Sequence, residues 1–306
     1  VQPMTGPVGQ IHTLRVRYAD TTTQGATNIA GGDEALSPFK IAASYSGNDA
    51  SPAKGSATAT LEGSAGKKLN VQILKQVVEA KSRKLSARWT FESAQDAQAQ
   101  QGIDIEAEIM AASAQEITAE IDQEILTSLR SLAGSAAGTF DQSAVSGTAT
   151  FVGDEHAALA VLINQQANLI AQRTRRGAGN YAVVSSEALT ILQSATTSAF
   201  ARSTEGVFDA PTNTKFVGTL NNSMRVYVDG YAATGTDVLV GYKGSSEADA
   251  PAFYCPYIPL MSSGVVLDPS TFEPVVSFLT RYGYVELSNT ASSLGNAADY
   301  LARISI

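Results

Sequence analysis

Between Asp104 and Ser131 the chain has no proline or glycine, and an apolar residue recurs at every fourth position. Ile105, Ile109, Ile117, Ile121, Ile125 and Leu129 make the row, with Ser113 taking the remaining place. Steps of four advance about 400° and drift slowly around a helix, so the row forms one apolar ridge along a rod roughly 42 Å long. This is the strongest structural signal in the chain, and Gly134 and Gly138 break it.

Upstream the pattern is extended. Pro3, Gly6, Pro7 and Gly9 forbid a helix, and Ile11, Leu14, Val16 and Tyr18 lead into a short strand, so residues 1–18 read as an arm. Val1, in place of Met, is read as a processed or trimmed start. Residues 19–66 are dominated by Thr, Ala, Ser, Gly and Asn, with Phe39, Ile41 and Tyr45 as sparse apolar anchors. Long structureless stretches are uncommon inside a compact domain, so this segment reads as a ribbon or loop ordered by something else. Strand-like alternation returns from Leu69 to Trp89 through Val71, Ile73, Val77, Leu85 and Ala87.

Downstream, Asp154 is the expected N-cap of a second helix with Leu159, Leu162, Ile163, Leu169 and Ile170 on its apolar face. Arg173, Arg175 and Arg176 complement its C-terminal end, with weak contact to a polyanion as their second reading, and Gly177 suits a left-handed cap. A strand at Tyr181–Ser185, a helix started by Ser185 or Ser186 and a strand at Arg225–Val228 predict a small α/β unit. The tail from Val265 to Leu287 is strand-rich, and no repeat of fixed period is present.

Reactive side chains are scarce: two His, one Cys and one Trp among 306 residues. Cys255 alone excludes an internal disulfide and a cysteine zinc site. The stretch Gly63–Lys68 has Leu61 and Lys68 where a phosphate loop needs Gly and Ser or Thr, so it reads as a flexible basic loop. A hydrolase using Ser186 or Asp154 with His156 is the weaker reading, because no Gly-x-Ser-x-Gly elbow accompanies them; His12 lies in the arm. The carboxylates of the rod, Asp104 and Glu108 among them, have no paired His, so neither a metal nor an acid pair is expected. Catalytic, cofactor-binding and metal-ligating residues are all expected to be none. The 44% hydrophobic content supports a substantial core, and no run approaches the roughly 20 apolar residues that span a bilayer. The net charge of −8 disfavours a protein whose task is gripping nucleic acid.

Charge is unevenly placed. Lys67, Lys68, Lys75, Lys81, Arg83, Lys84 and Arg88 face only Glu79 between residues 67 and 88. The rod carries Asp104, Glu106, Glu108, Glu116, Glu120, Asp122 and Glu124 before its first cation, Arg130. An acidic helix without its own i,i+4 cations is not self-compensated. The two segments are expected to be complementary surfaces, within one subunit or between neighbours. The seven cations together with Glu116, Glu120 and Glu124 are the candidate inter-subunit contacts.

Four blocks carry a resemblance: QPMTGPVGQIHTLRVRY (Gln2–Tyr18); EAKSRKLSARWTFESAQDAQAQQGIDIEAEI (Glu79–Ile109) running on into EITAEIDQEIL (Glu116–Leu126); RTRRGAGNYAVVSSEALTIL (Arg173–Leu192); and PYIPLM (Pro256–Met261) followed by LDPSTFEPVVSFLTRYGYV (Leu267–Val285). In order and spread they resemble the major capsid proteins of T-even-type tailed bacteriophages. The resemblance implies an α+β chain with the Hong Kong 97-type capsid fold. It assigns residues 1–18 to an N-terminal arm and 19–88 to an extended loop and its stem. Residues 89–177 become a peripheral domain with a spine helix over 103–131, 178–264 an axial α/β domain, and 265–306 return strands of the peripheral domain.

The function implied is structural: self-assembly through homo-hexamers into an icosahedral or elongated head shell around double-stranded DNA, with no cofactor and no membrane. The implied place is the virion, and the host cytoplasm during assembly. Implied partners are further copies of the chain and vertex, portal, scaffold, maturation-protease and decoration proteins, with packaged DNA nearby but not specifically bound. Family members lose an N-terminal pro-segment to that protease, and T-even relatives carry an inserted domain for which this chain has no evident room. The alternative is the shell of an encapsulin-like cellular nanocompartment, which holds cargo protein instead of DNA.

Overall fold

The computed structural model describes residues 1–24, 27–32, 35, 45–46, 55–141, 152–174, 176–195, 200–202, 214–245, 250–287 and 297–306. The chain opens with β1 (Val8–Tyr18), β2 (Thr22–Gln24), β3 (Thr27–Ile29), the single turn α1 (Thr58–Leu61), β4 (Leu69–Glu79) and β5 (Lys81–Arg88). Two helices follow, α2 (Phe91–Gln101) and α3 (Ile105–Leu132), then β6 (Gly138–Thr139) and α4 (Val152–Thr174). Next come β7 (Tyr181–Val184), α5 (Ser186–Ser194), β8 (Phe200–Arg202), β9 (Thr214–Leu220), β10 (Met224–Asp229) and β11 (Val238–Gly241). The chain closes with β12 (Ala252–Ser262), β13 (Val266–Leu267), β14 (Pro274–Glu286), a 3-10 turn at Ala297–Tyr300 and β15 (Leu301–Ser305).

In the four-stranded sheet β14 is the centre. β5 pairs along one edge, while β12 and then β13 share the other. Alternate β14 residues Val276, Phe278, Thr280 and Tyr282 are buried, as a half-covered strand requires. The cover is the first half of α3: Ile105, Ile109, Ile117 and Ile121 pack with Trp89, Val276 and Phe278.

The seven-stranded sheet runs β6-β15-β11-β7-β10-β9-β8, and two of its pairings, β7 with β10 and β6 with β15, are parallel. Its central strands are apolar at successive positions because both faces are covered. Ala182, Val184, Val238, Val240 and Ile304 face α4 and α5, including Leu159, Ile163 and Ile170. Val183, Leu239 and Leu301 face the other way, onto Leu126 and the flanking Leu129 and Leu132 of α3. α3 therefore covers both sheets in succession.

The third component is a two-stranded ribbon. β1 and β4 pair antiparallel along their whole length, from Val8 opposite Glu79 to Tyr18 opposite Leu69. The arm strand and the loop stem are thus one element. Its base is fixed by Val78, 2% exposed, packed with Phe253, Cys255 and Leu287, and with Met4 and Ile11 at the margin. Ahead of the ribbon, the Gln2 and Met4 amides donate to the carbonyls of Tyr254 (3.0 Å) and Pro256 (2.9 Å). At the far end Val16 and Tyr18 pack on Ala35 and Tyr45.

Several placements differ from those expected. α2, absent from the hydrophobic pattern because it buries no residue, is set by its ends: Thr90 Oγ1 accepts from the Ser93 amide, and Gly102 closes the helix in the left-handed region at φ 67°. α4 starts at Val152, so Asp154 lies inside its first turn. Gly177 does not adopt a left-handed cap; a Cβ there would lie 2.7 Å from the Tyr242 ring, so close approach is its reason for being glycine. α4, grouped with the rod from sequence, covers the seven-stranded sheet. The tail divides between sheets: β14 centres the smaller one, while β15 enters the larger because Leu301 and Ala302 bury on its opposite faces. β12, grouped with the α/β unit, pairs instead with β14. Phe39 and Ile41 lie outside the described residues.

Where the ribbon meets β14 there is no room for a side chain at Gly283. A Cβ would lie 2.3 Å from Val78 Cγ1 and 3.1 Å from the Glu79 carbonyl oxygen. Gly283→Ala is expected to cost about 1–3 kcal/mol by overpacking. In urea unfolding, Val78→Ala in the same chain should recover part of that loss, giving a non-additive cycle.

Candidate functional site

The basic stem and the acidic helix meet in one chain. β5 pairs beside Tyr282 of β14, and α3 lies over that sheet, so the Arg83 guanidinium points onto the helix. Its NH1 donates to Glu120 Oε2 at 2.9 Å, its NH2 to Glu124 Oε2, and its Nε to the Tyr282 hydroxyl at 2.7 Å. Tyr282 in turn donates to Glu124. Hydrogen bonding to Glu124 and Tyr282 holds the guanidinium charged. Burial alone would push the Glu124 carboxyl up, but the bonds from Arg83 and Tyr282 and the charge of Arg83 outweigh it, and its pKa is lowered. Burial, then the bond to Glu124, raises the Tyr282 phenol.

Of the ten candidate contact residues, the structure thus brings Arg83, Glu120 and Glu124 together inside the chain. Glu116 lies further along the same groove of α3, which the exposed Tyr231 also lines. Arg88 sits 3.6 Å from Glu273 with its side chain 72% exposed. Lys67 lies over the Tyr45 ring, 5.7 Å from its centroid. The backbone of Lys68 is tied down, its amide donating to Asp20 Oδ2 (2.8 Å) and its carbonyl accepting from Tyr45 (2.6 Å). Lys75, Lys81 and Lys84 make no ion pair among the described residues. The basic loop Gly63–Lys68 leads into strand β4 and not into a helix, so it lacks the helix start that a phosphate loop uses.

A second polar junction escaped the sequence. Asp229, fully buried at the end of β10, accepts from Gln123 Nε2 (2.8 Å), Arg130 NH2 (3.1 Å) and the Tyr231 amide (3.1 Å). It ties the second half of α3 to the larger sheet. Nearby Asp122 is pushed up by burial and then by the charge of Asp229. Only the position of Arg130, as the first cation of an acidic helix, hinted at this pair. His156 Nδ1 lies 2.5 Å from Ser194 Oγ, joining α4 to α5; Ser194, and not Ser186, is its neighbour.

Apolar side chains are also displayed outward. On the ribbon, cross-strand neighbours share a face. One face carries Leu14 beside Ile73, with Val71, Val77 and Leu69, all more than half exposed. On the smaller sheet, β13 and the turn after it expose Val266, Leu267 and Phe272. Isolated surface apolar residues are ordinary, but contiguous sets mark surfaces that meet a partner.

This combination, a long helix shared by two sheets with a projecting apolar ribbon, is the architecture of tailed-phage capsid subunits. The fold matches the mature capsid of bacteriophage PhiM1 with a TM-score of 0.54 at 12% identity, covering 99% of this chain and 83% of that one. It matches the capsid of cyanophage P-SCSP1u at 0.53 and 9% identity, covering 99% and 85%. The chain is 32% identical to the major capsid protein of Vibrio phage KVP40, covering 99% of this chain and 76% of that protein. It is 37% identical over 234 residues to the major capsid protein of Enterobacteria phage T4, covering 70% of this chain but only 44% of the T4 protein. The family model for the major capsid protein Gp23 matches residues 1–306. The chain belongs to the Gp23 major capsid protein family, whose members form the shell of the phage head. Its fold is the Hong Kong 97-type capsid fold, and its place is the virion shell. Among the described residues no helix is long and apolar enough to cross a membrane.

Two acid–base predictions follow from the junctions. Because Glu124 titrates lower in the folded chain, its contribution is complete above the ordinary carboxylate value of 4.5 and is lost as pH falls through the folded value. Urea midpoints from pH 7 to 3 should show this acid loss, and it should be much smaller in Arg83→Met, which keeps the stem but removes the charge. Asp122 has the opposite sign: a raised pKa means that its ionised form is disfavoured by folding. Asp122→Asn should stabilise the chain at pH 7 and give no gain at pH 3.

Proposed function

We infer that the chain works by assembly and not by turnover, forming hexameric capsomers in which each ribbon is completed by a neighbouring copy. The observation that carries this is the ribbon's exposed apolar face: Leu14, Val71 and Ile73 are each more than 60% exposed within their own chain. A lone two-stranded ribbon is marginal in water, so burial on a neighbour supplies its missing packing. On this reading the ribbon and residues 19–66 are the extended loop. The four-stranded sheet with the first half of α3 is the peripheral domain, and the seven-stranded sheet is the axial domain.

The cations that make no ion pair among the described residues, Lys75, Lys81 and Lys84, are then contacts to acidic surface on neighbours, Lys81 also bearing through its charge on Glu124 of its own chain, and Glu116 is one such acceptor. Modest pairwise energies add through many copies, so the shell holds without any single tight interface. The content is double-stranded DNA: an acidic wall does not adhere to a packaged polyanion as a basic one would. Vertex, portal, scaffold, protease and decoration proteins are the further partners that the family membership implies. A nanocompartment shell is the competing use of the fold, and the relatives described above, all phage capsid proteins, favour the head.

Sedimentation velocity on native material, with negative-stain images of each peak, is expected to show rings or closed shells whose assembly weakens with added salt. Native particles should carry nucleic acid. A chain that stays monomeric across salt and concentration, with or without added scaffold, would remove the assembly reading; shells filled with protein alone would favour the nanocompartment.

A further inference from the structure

The two sheets and the helix they share do not close completely on one another. Between them lies a cavity of about 390 Å³, within the size range of small-molecule sites. α3 lines it with Ile125 and Leu129. The larger sheet contributes Tyr181 of β7 and, just past β11, Lys243. The smaller sheet contributes Tyr254 of β12 and Tyr284 of β14.

Tyr181 occupies this position because β11 leaves it room. It pairs with Gly241, where a Cβ would overlap the hydroxyl end of the Tyr181 ring. The ring therefore lies across bare backbone, and burial pushes its pKa up to about 12. Neither the Tyr181 nor the Tyr254 hydroxyl makes a hydrogen bond among the described residues, whereas Tyr284 donates to Glu286 Oε1 at 3.1 Å. A phenol shielded from water without an acceptor forgoes a bond that a ligand can restore.

The lining also selects the kind of ligand. Lys243 stands on one side, its ammonium donating to the Gly244 carbonyl at 2.6 Å. The Glu286 carboxylate stands beside Tyr284, and the charge of Asp122 reaches Tyr254, pushing its phenol up in addition to burial. With both signs at the margin, an ion of either sign meets a like charge as it gives up water, so a neutral molecule is favoured. Three tyrosine rings and two branched aliphatic side chains suit a flat aromatic body, and the open phenols can donate to an acceptor on it.

We propose that this cavity binds an uncharged aromatic molecule of naphthalene size bearing a hydrogen-bond acceptor, its body against Ile125 and Leu129 and its acceptor on the Tyr181 hydroxyl. Such a ligand touches both sheets and the helix between them, so it favours the angle between the sheets that fits it best. The site is complete within one subunit and does not depend on the assembly reading.

The test titrates the full chain with prodan, an uncharged naphthalene carrying a ketone, and follows its emission together with thermal unfolding. Saturable binding is expected, with blue-shifted emission and a rise in the unfolding midpoint. Tyr181→Phe keeps the ring and removes the donor; it should weaken binding about fivefold and leave the midpoint without prodan close to that of the wild type. Ala252→Phe fills the cavity from β12 and should abolish binding. The ribbon offers prodan another apolar surface, so Ile73→Ser is the control and should leave the affinity unchanged. Absence of saturable binding, an affinity unmoved by Tyr181→Phe, or binding lost in Ile73→Ser overturns the proposal.

Discussion

The architecture depends on one helix serving two sheets. The apolar ridge of α3 drifts around its axis as it advances, so residues near its start and residues near its end face different directions. Ile117 and Ile121 bury against the small sheet, and Leu126, Leu129 and Leu132 against the large one. α2 adds Ala94 at the margin of the small-sheet cluster, and Tyr300 flanks the large-sheet one. Between these halves the helix is locked by charge: Arg83 grips Glu120 and Glu124 on one flank, and Asp229 grips Gln123 and Arg130 on the other. The Asp229–Arg130 pair is buried and costly to break because removing one partner leaves the other uncompensated, whereas the half-exposed Arg83 bonds to Glu120 and Glu124 contribute mainly geometry.

The body and the ribbon are stabilised differently. The large sheet is covered on both faces by its own chain, with Leu159, Ile163, Ile170, Val184 and Val240 shielded from water. The ribbon has a buried base and an open face. Such a division suits a subunit that must be soluble before assembly and yet hold surfaces in reserve. The side chains that contradict the ordinary inside–outside rule are Leu14, Ile73 and Val71 on strands, and Phe272 on a turn.

Much of this was legible in the sequence where a single periodicity dominates. The four-residue row located α3 to within a residue or two, and Ser185 marked the start of α5 through its own side-chain cap. The charge imbalance between stem and rod pointed to a real meeting, although the chain resolves it internally through Arg83. What stayed hidden depends on partners distant in sequence. α2 presents no buried face and is held by caps, so a search for apolar stripes passes over it. Asp229 pairs with residues about a hundred positions away. The pairing of β1 with β4 spans residues 19–68, whose composition carries no register signal. β15 lies beyond the strand-rich stretch Val265–Leu287, and the resemblance grouped it with the return strands of 265–306, yet burial of Leu301 and Ala302 on opposite faces assigns it to the larger sheet.

The point where the ribbon leaves the body acts mechanically as the root of a lever. Eleven residues of strand project roughly 37 Å, so a tilt of about 10° at the root carries the tip about 6 Å sideways. That root is narrow, fixed where Val78 sits against the bare backbone of Gly283. On the assembly reading proposed above, in which the ribbon meets a neighbouring copy, the packing of one methyl group against one glycine would help set the spacing between copies, and through it the radius of the container.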